Sequence, residues 1–181
     1  MTDGCPSGPD SAFRIPHSAL AFVALGSNLG DSVSILHRAM ARLRAFSDAP
    51  LLQSSLWRSS PVACPPGSPD FVNASVGLAP RAGDTPESLL ASLHALEREF
   101  GRARSLVRNA PRPLDLDLIA FGSHLCNTPE LILPHPRAHL RRFVLQPLSE
   151  IAPGFVLPGQ TRTIQKLLEQ SGSDEALTRI V

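Results

Sequence analysis

Apolar and polar residues follow two different periods along this chain, and the switches between them mark its elements. Leu20-Ala-Phe-Val-Ala-Leu25 is an unbroken apolar run of strand length, followed by the turn residues Gly26-Ser-Asn-Leu-Gly30 and by Asp31, placed as a helix N-cap. From about 32 to 46, Ile35/Leu36, Ala39/Met40, Leu43 and Phe46 recur at helical spacing, with His37, Arg38, Arg42 and Arg44 mainly on the other side. Leu51 to Trp57 and Phe71 to Leu78 read as strands, separated by a stretch from Arg58 to Pro69 whose prolines exclude a central strand. Thr85-Pro86 caps and opens a second helix, Leu89/Leu90, Leu93, Leu96 and Phe100 form its stripe, and Gly101 stops it. A loop from Arg102 to Arg112 runs into Leu114-Asp-Leu-Asp-Leu-Ile-Ala-Phe121, a strand of period two. A turn at Gly122-Ser123, a short strand Leu131–Leu133, a helix near 137–146 and another near 162–170 complete the pattern.

The order strand, helix, strand, strand, helix, strand over residues 20–121 is the split βαβ pattern of a ferredoxin-like α+β sandwich. The two middle strands have no helix between them, so they pair antiparallel and a doubly wound parallel sheet is disfavoured. Both helices are expected on one sheet face. Loops and later segments are left to build a site on the other.

Length and composition narrow the picture. The 181 residues suit one domain, placed at 19–181, and residues 1–18, rich in Pro, Ser, Gly and Asp, read as a disordered extension without the apolar core of an export signal. The longest apolar run, Ala19 to Leu25, is far short of the ~20 residues of a membrane span. A formal charge of +1 argues against a nucleic-acid partner held by bulk charge. Cys5, Cys64 and Cys126 have no metal-ligand spacing, and their odd number fits reduced thiols in the cytoplasm. Lys166 is the only lysine, so any phosphate clamp consists of guanidinium groups.

Chemistry concentrates around residues 102–117. Asp115 and Asp117 stand two apart on a strand, which puts both carboxylates on one face ~6–7 Å apart at the backbone. Two such anions repel by roughly 3 kcal/mol at ~5 Å in a medium of effective dielectric near 20, a cost a hard divalent cation offsets. Magnesium suits them, because it shares one or two carboxylates with substrate phosphates and water. Ile119 and Phe121 share the parity of the aspartates, which makes the face apolar further along. Arg102, Arg104, Arg108 and Arg112 in the preceding loop have no acid among them and would suit a polyphosphate. Taken singly, a solvated strand face and a solvated basic loop are the other readings; side by side, acids and arginines suit phosphoryl transfer. His135, fixed between two prolines, could contact a phosphate. Phe71 and Asn73 share a strand face, offering a ring and an amide to a flat heteroaromatic ligand.

Five segments in register carry a specific resemblance: Ala24-Leu-Gly-Ser-Asn-Leu-Gly-Asp31, Pro69-Asp-Phe-Val-Asn-Ala74, Arg108-Asn-Ala-Pro-Arg-Pro-Leu-Asp-Leu-Asp-Leu-Ile119, Leu133-Pro-His-Pro-Arg137 and Arg142-Phe-Val-Leu-Gln-Pro-Leu148. From about 20 to 160 the chain resembles the 6-hydroxymethyl-7,8-dihydropterin pyrophosphokinases of folate biosynthesis. The resemblance implies a ferredoxin-like fold, a cytoplasmic monomer, and transfer of pyrophosphate from MgATP to the pterin hydroxymethyl oxygen, with in-line attack at the β-phosphorus and release of AMP. It implies that Asp115 and Asp117 hold two magnesium ions and that Arg102 and Arg112 steady the transferring group. Phe71 and Phe143 would sandwich the pterin, Asn73 would read its polar edge, and backbone groups at Ser59, Ser60 and Val62 would complete that pocket. Glu97, Arg104, Arg108, His135 and Arg141 fall at nucleotide-contacting positions.

The chain departs from the family pattern at Asn109-Ala110, where Trp-Gly is common, at Pro113 for Thr, at His94 for Gln and at Glu130 for a basic residue. Two readings from other classes stand beside the enzyme: a noncatalytic pterin- or nucleotide-binding paralogue, and a nuclease using Asp115 and Asp117. The nuclease lacks further acids and a basic-aromatic surface.

Overall fold

A computed structural model describes residues 15–62, 64–102, 110–172 and 176–180. Its main sheet contains β1 (Ala21–Ser27), β2 (Leu52–Gln53), β3 (Leu56–Ser59), β4 (Phe71–Leu78), β5 (Asp115–Phe121) and a strand near the C-terminus. That strand is β8 (Leu177–Ile180); β6 (Cys126–Asn127) and β7 (Ile132–Leu133) form a separate hairpin. The order across the sheet is β5-β1-β4-β3-β8, with β2 also on β4, and every pairing is antiparallel. This is the ferredoxin-like order expected of a split βαβ unit, extended by one edge strand.

The two crossover helices, α1 (Ser32–Leu43) and α2 (Pro86–Glu99), start where the sequence provides caps. Asp31 accepts the Ser34 N–H at 3.1 Å, and Thr85 and Ser88 form a reciprocal capping box. Both bury their stripes (Leu36, Ala39, Met40 and Leu43; Leu89, Leu93 and Leu96) against one sheet face made by alternate residues such as Val23, Leu25, Val76 and Leu118. The later helices α3 (Arg142–Ile151) and α4 (Ile164–Gln170) pack with Phe22, Ile119 and Phe155 on the opposite face. They cover only part of it. The remainder, at the β5-β1-β4 end beside the start of α3, is open.

Several local expectations change. The strand expected over Leu51–Trp57 is broken into β2 and β3, because the hydroxyl of Ser54 takes the Ser75 N–H at 2.9 Å and interrupts the ladder. The helix expected near 137–146 is a short 3-10 turn (Ala138–Leu140) followed by α3, which continues through Pro147 to Ile151. Pro147 lies in the second turn, and burial of Val144, Leu145 and Leu148 carries the helix past the bond its missing N–H would have made. Phe121 does not share the face of the aspartates. The register slips between Phe22 and Val23, so Ile119 stays with Phe22 while Phe121 turns toward Ala21 and Leu118. Residues 17 and 18, placed in the extension by composition, begin a 3-10 turn (His17–Ala19), and the His17 ring meets Phe22 and Phe155 edge-on. Gly122, at φ +55°, permits this approach, since a Cβ there would stand only 2.8 Å from the Ser18 carbonyl oxygen.

Candidate active site

The open end of the sheet forms a cavity of about 260 Å3. Gly26, at the end of β1, is its floor. A Cβ there would stand 3.7 Å from Asn73 Oδ1 and 3.8 Å from both Asp115 Cβ and a Phe71 ring carbon, so strands β4, β1 and β5 converge on this point. Phe71, Asn73, Ser59, Ser60 and Val62 line one side. Phe143 and Arg141, from the start of α3, line another. Asp115, Asp117 and Arg112 line the third. The residues expected to bind the heteroaromatic ligand and the acids expected to hold metal thus share one space.

Asn73 is buried, and its Nδ2 donates to Ser59 Oγ at 2.9 Å. That bond fixes the amide and leaves Oδ1 toward Gly26 and the cavity. Phe71 and Ser59 are cross-strand partners, so ring, hydroxyl and amide form one rigid surface.

Asp115 lies among cations. Arg102 Nη1 is 2.8 Å from its Oδ1, and Arg112 Nε is 3.5 Å from its Oδ2. That Arg112 nitrogen is buried without a hydrogen-bond partner among the described residues. Arg141 Nη1 stands 4.0 Å from Asp117 Oδ2, and its guanidinium lies 5.5 Å from the centre of the Phe143 ring. Despite these cations the carboxyl of Asp115 is pushed above its ordinary range, first by burial and then by the charge of Asp117, with Arg112, Arg102 and Arg141 opposing. The arginines relieve the repulsion between the two acids only in part, and the hard carboxylate oxygens would suit a magnesium ion that takes its remaining ligands from phosphate and water. Among the described residues no group of three or more His, Cys, Asp or Glu could hold a metal.

Glu97 lies outside the cavity lining. It is 3% exposed on α2, accepts the Leu116 N–H at 2.8 Å, between the two aspartates, and forms an ion pair with Arg102. Burial raises its carboxyl above the usual range, against the lowering effects of the Leu116 N–H and Arg102. His135 is half-buried; its backbone N–H donates to Ile119 O at 2.9 Å, and its Nδ1 accepts the Arg137 N–H at 3.2 Å. Burial lowers the pKa of its imidazole, Asp117 opposes this, and Arg141 and Arg137 add to it. Arg104 and Arg108, expected at the nucleotide, and Asn109 lie outside the described residues.

Sequence reasoning missed Asn28, Cys64, Leu140 and Arg137. Cys64, Leu140 and Arg137 line the cavity. Asn28 is buried behind it, and its amide joins the backbone of Arg112 to that of Pro69. Its place in the Gly-Ser-Asn turn between strand and helix was the available signal.

Fold and cavity define a ferredoxin-like α+β domain with an aromatic-amide pocket opening onto an acid–arginine edge. The family model described as 7,8-dihydro-6-hydroxymethylpterin-pyrophosphokinase (HPPK) matches residues 22–153. The chain is 41% identical over 150 residues to the 2-amino-4-hydroxy-6-hydroxymethyldihydropteridine pyrophosphokinase of Synechocystis sp., covering 83% of this chain and 75% of that protein. It is 38% identical over 151 residues to the protein of that name from Haemophilus influenzae, covering 83% and 91%. The fold also matches the crystal structure of Plasmodium falciparum HPPK-DHPS wild type with pteroate, at a TM-score of 0.65 and 13% identity, over 83% of this chain and 44% of that one. The chain spans less than half of that solved protein. The chain belongs to the 7,8-dihydro-6-hydroxymethylpterin-pyrophosphokinase family.

Proposed function

We propose that this chain transfers the pyrophosphoryl group of ATP to the hydroxymethyl oxygen of 6-hydroxymethyl-7,8-dihydropterin, releasing AMP, and so acts in folate biosynthesis. The observation that carries this reading is the shared cavity: the Phe71, Asn73 and Phe143 wall opens directly onto Asp115, Asp117 and Arg112.

In this reading Phe71 and Phe143 stack on the pterin, and Asn73, fixed by Ser59, accepts from its polar edge. That orients the hydroxymethyl oxygen toward the aspartates. Asp115 and Asp117 would hold the magnesium ions, two of them with ATP bound, whose charge screens the phosphates and polarises the phosphoryl oxygens. Arg112, which faces Asp115 and whose buried Nε has no hydrogen-bond partner among the described residues, donates to the transferring group. Arg102 is held beside Asp115 by Glu97 and adds a second cation there. Arg141 and His135 flank Asp117 and bind the nucleotide, joined by Arg104 and Arg108. Holding both reactants in line supplies the rest of the rate through orientation.

No helix among the described residues is long and apolar enough to cross a membrane. We read the chain as a cytoplasmic monomer whose partners are ATP and the pterin, without nucleic acid or membrane, with a single domain that includes His17 and Ser18. Incubation with MgATP and the pterin, followed by mass spectrometry, tests the activity. A pterin carrying two added phosphorus atoms supports it; a pterin carrying one, or none, overturns it.

A further inference from the structure

Three arginines line the reaction cavity, Arg112, Arg137 and Arg141. Arg112 and Arg141 face Asp115 and Asp117. Arg137 has no carboxylate within ion-pair distance and no side-chain hydrogen bond among the described residues. We propose that Arg137 binds the diphosphoryl group, first as part of ATP and then on the pterin product, a role that rests on the reaction proposed above.

The backbone around Arg137 is built while its side chain is left uncommitted. The Arg137 N–H donates to His135 Nδ1 at 3.2 Å, the Ala138 N–H donates to His135 O at 3.0 Å, and the Leu140 N–H donates to Arg137 O at 3.1 Å. The His135 N–H is in turn fixed to Ile119 O at 2.9 Å, on the same strand as the two aspartates. Arg137 itself sits at φ −112°, ψ 3°, in the sparsely used bridge region. The turn therefore fixes where the side chain leaves the backbone relative to Asp117. An exposed arginine at that position, lining a cavity whose two acids already face other arginines, supplies cationic charge that no carboxylate among the described residues neutralises. A doubly or triply charged oxyanion with two acceptor edges is the ligand it fits, through charge-assisted and bidentate hydrogen bonds. The unphosphorylated pterin offers no such anion. Arg137 should therefore distinguish the phosphorylated ligands from the bare one and slow departure of the product.

The test is calorimetry on the full chain with three ligands: Mg2+ with α,β-methylene-ATP, the diphosphorylated pterin, and the unphosphorylated pterin. For Arg137→Ala the expected result is about tenfold weaker binding of both phosphorylated ligands, with the pterin unchanged, and partial recovery in Arg137→Lys. Affinities for both phosphorylated ligands within twofold of wild type would overturn the proposal, as would an equal loss for the unphosphorylated pterin, which would make Arg137 a mere wall of the pocket. Arg137→Gln, which keeps the bulk and removes the charge, replaces Arg137→Ala if that variant unfolds, with the same two outcomes. Should wild-type protein yield no AMP, the reaction fails as a reading, and Mg2+-pyrophosphate binding to wild type and Arg137→Ala decides the anion site by the same tenfold criterion.

Discussion

The side-chain oxygen of Asn28 accepts the backbone N–H of Arg112 at 2.9 Å, while the Asn28 N–H donates to Arg112 O at 3.2 Å and its amide nitrogen donates to Pro69 O at 3.4 Å. One buried residue in the turn after β1 thus holds both the backbone of an expected transfer arginine and the chain entering Phe71. Asn28→Ala should cost about 1–3 kcal/mol of stability, the range for leaving buried backbone groups unpaired, and lower kcat more than it raises KM for either substrate. Asn28→Asp keeps an acceptor for Arg112 but loses the donor to Pro69, so it should recover part of kcat. Denaturant titration and steady-state rates check both. A wild-type kcat in Asn28→Ala would remove the coupling.

Asp115→Asn and Asp117→Asn should each reduce turnover by about a hundredfold or more with the fold intact, since each removes half of the proposed two-carboxylate donor set in the cavity. Circular dichroism and AMP production read the two halves of that statement. Near-wild-type AMP production by both variants would remove the metal role.

Phe71→Ala and Phe143→Ala should weaken pterin binding by roughly 1–3 kcal/mol each, the scale of stacking on an aromatic side chain, and leave nucleotide binding nearly unchanged. The floor makes a steric counterpart. At Gly26 a methyl group meets only ordinary contacts at 3.7–3.8 Å, so Gly26→Ala should fold, whereas the larger Gly26→Val should intrude and cost the pterin about 1–3 kcal/mol. Competitive binding of a fluorescent pterin measures all four.

Glu97 yields a pH prediction. Its folded-state pKa is raised above the unfolded value, so between the two values the folded chain holds more proton than the unfolded one, and stability rises as pH falls through that window. Glu97→Gln keeps an acceptor for the Leu116 N–H without the buried charge. It should therefore be more stable than wild type at neutral pH, with the advantage shrinking as pH falls toward 4.5, and slower in turnover because Arg102 loses its tether. Urea melts of both proteins at pH 5 and pH 8 give the sign; a Glu97→Gln advantage that grows on acidification would contradict it.

The elements with strong local signals were legible from sequence. The caps at Asp31 and Thr85, the stripes of α1 and α2 and the stop at Gly101 fix their helices without tertiary help, and the helix-free step between the middle strands dictates the antiparallel order. What was not legible depends on contacts distant in sequence. The edge strand Leu177–Ile180 exists because β3 offers it a free edge, and the slip that turns Phe121 away from the aspartates is a property of the β1–β5 pairing. At the cavity, Phe71, Asn73, Asp115 and Asp117 could be singled out because strand parity reports a shared face. Arg137 and Asn28 could not, since their places follow from how the turns at 28 and 134–140 dock onto β5 and its preceding loop.

The central claim, that a pyrophosphoryl group rather than a single phosphoryl group moves, is tested most directly by phosphorus NMR of the full chain with MgATP and 6-hydroxymethyl-7,8-dihydropterin. The account predicts that the ATP resonances fall together while AMP and one new two-phosphorus ester grow in equal amounts, and that neither appears without the pterin. Accumulation of ADP with a monophosphorylated pterin, or no change in the ATP resonances, would contradict it.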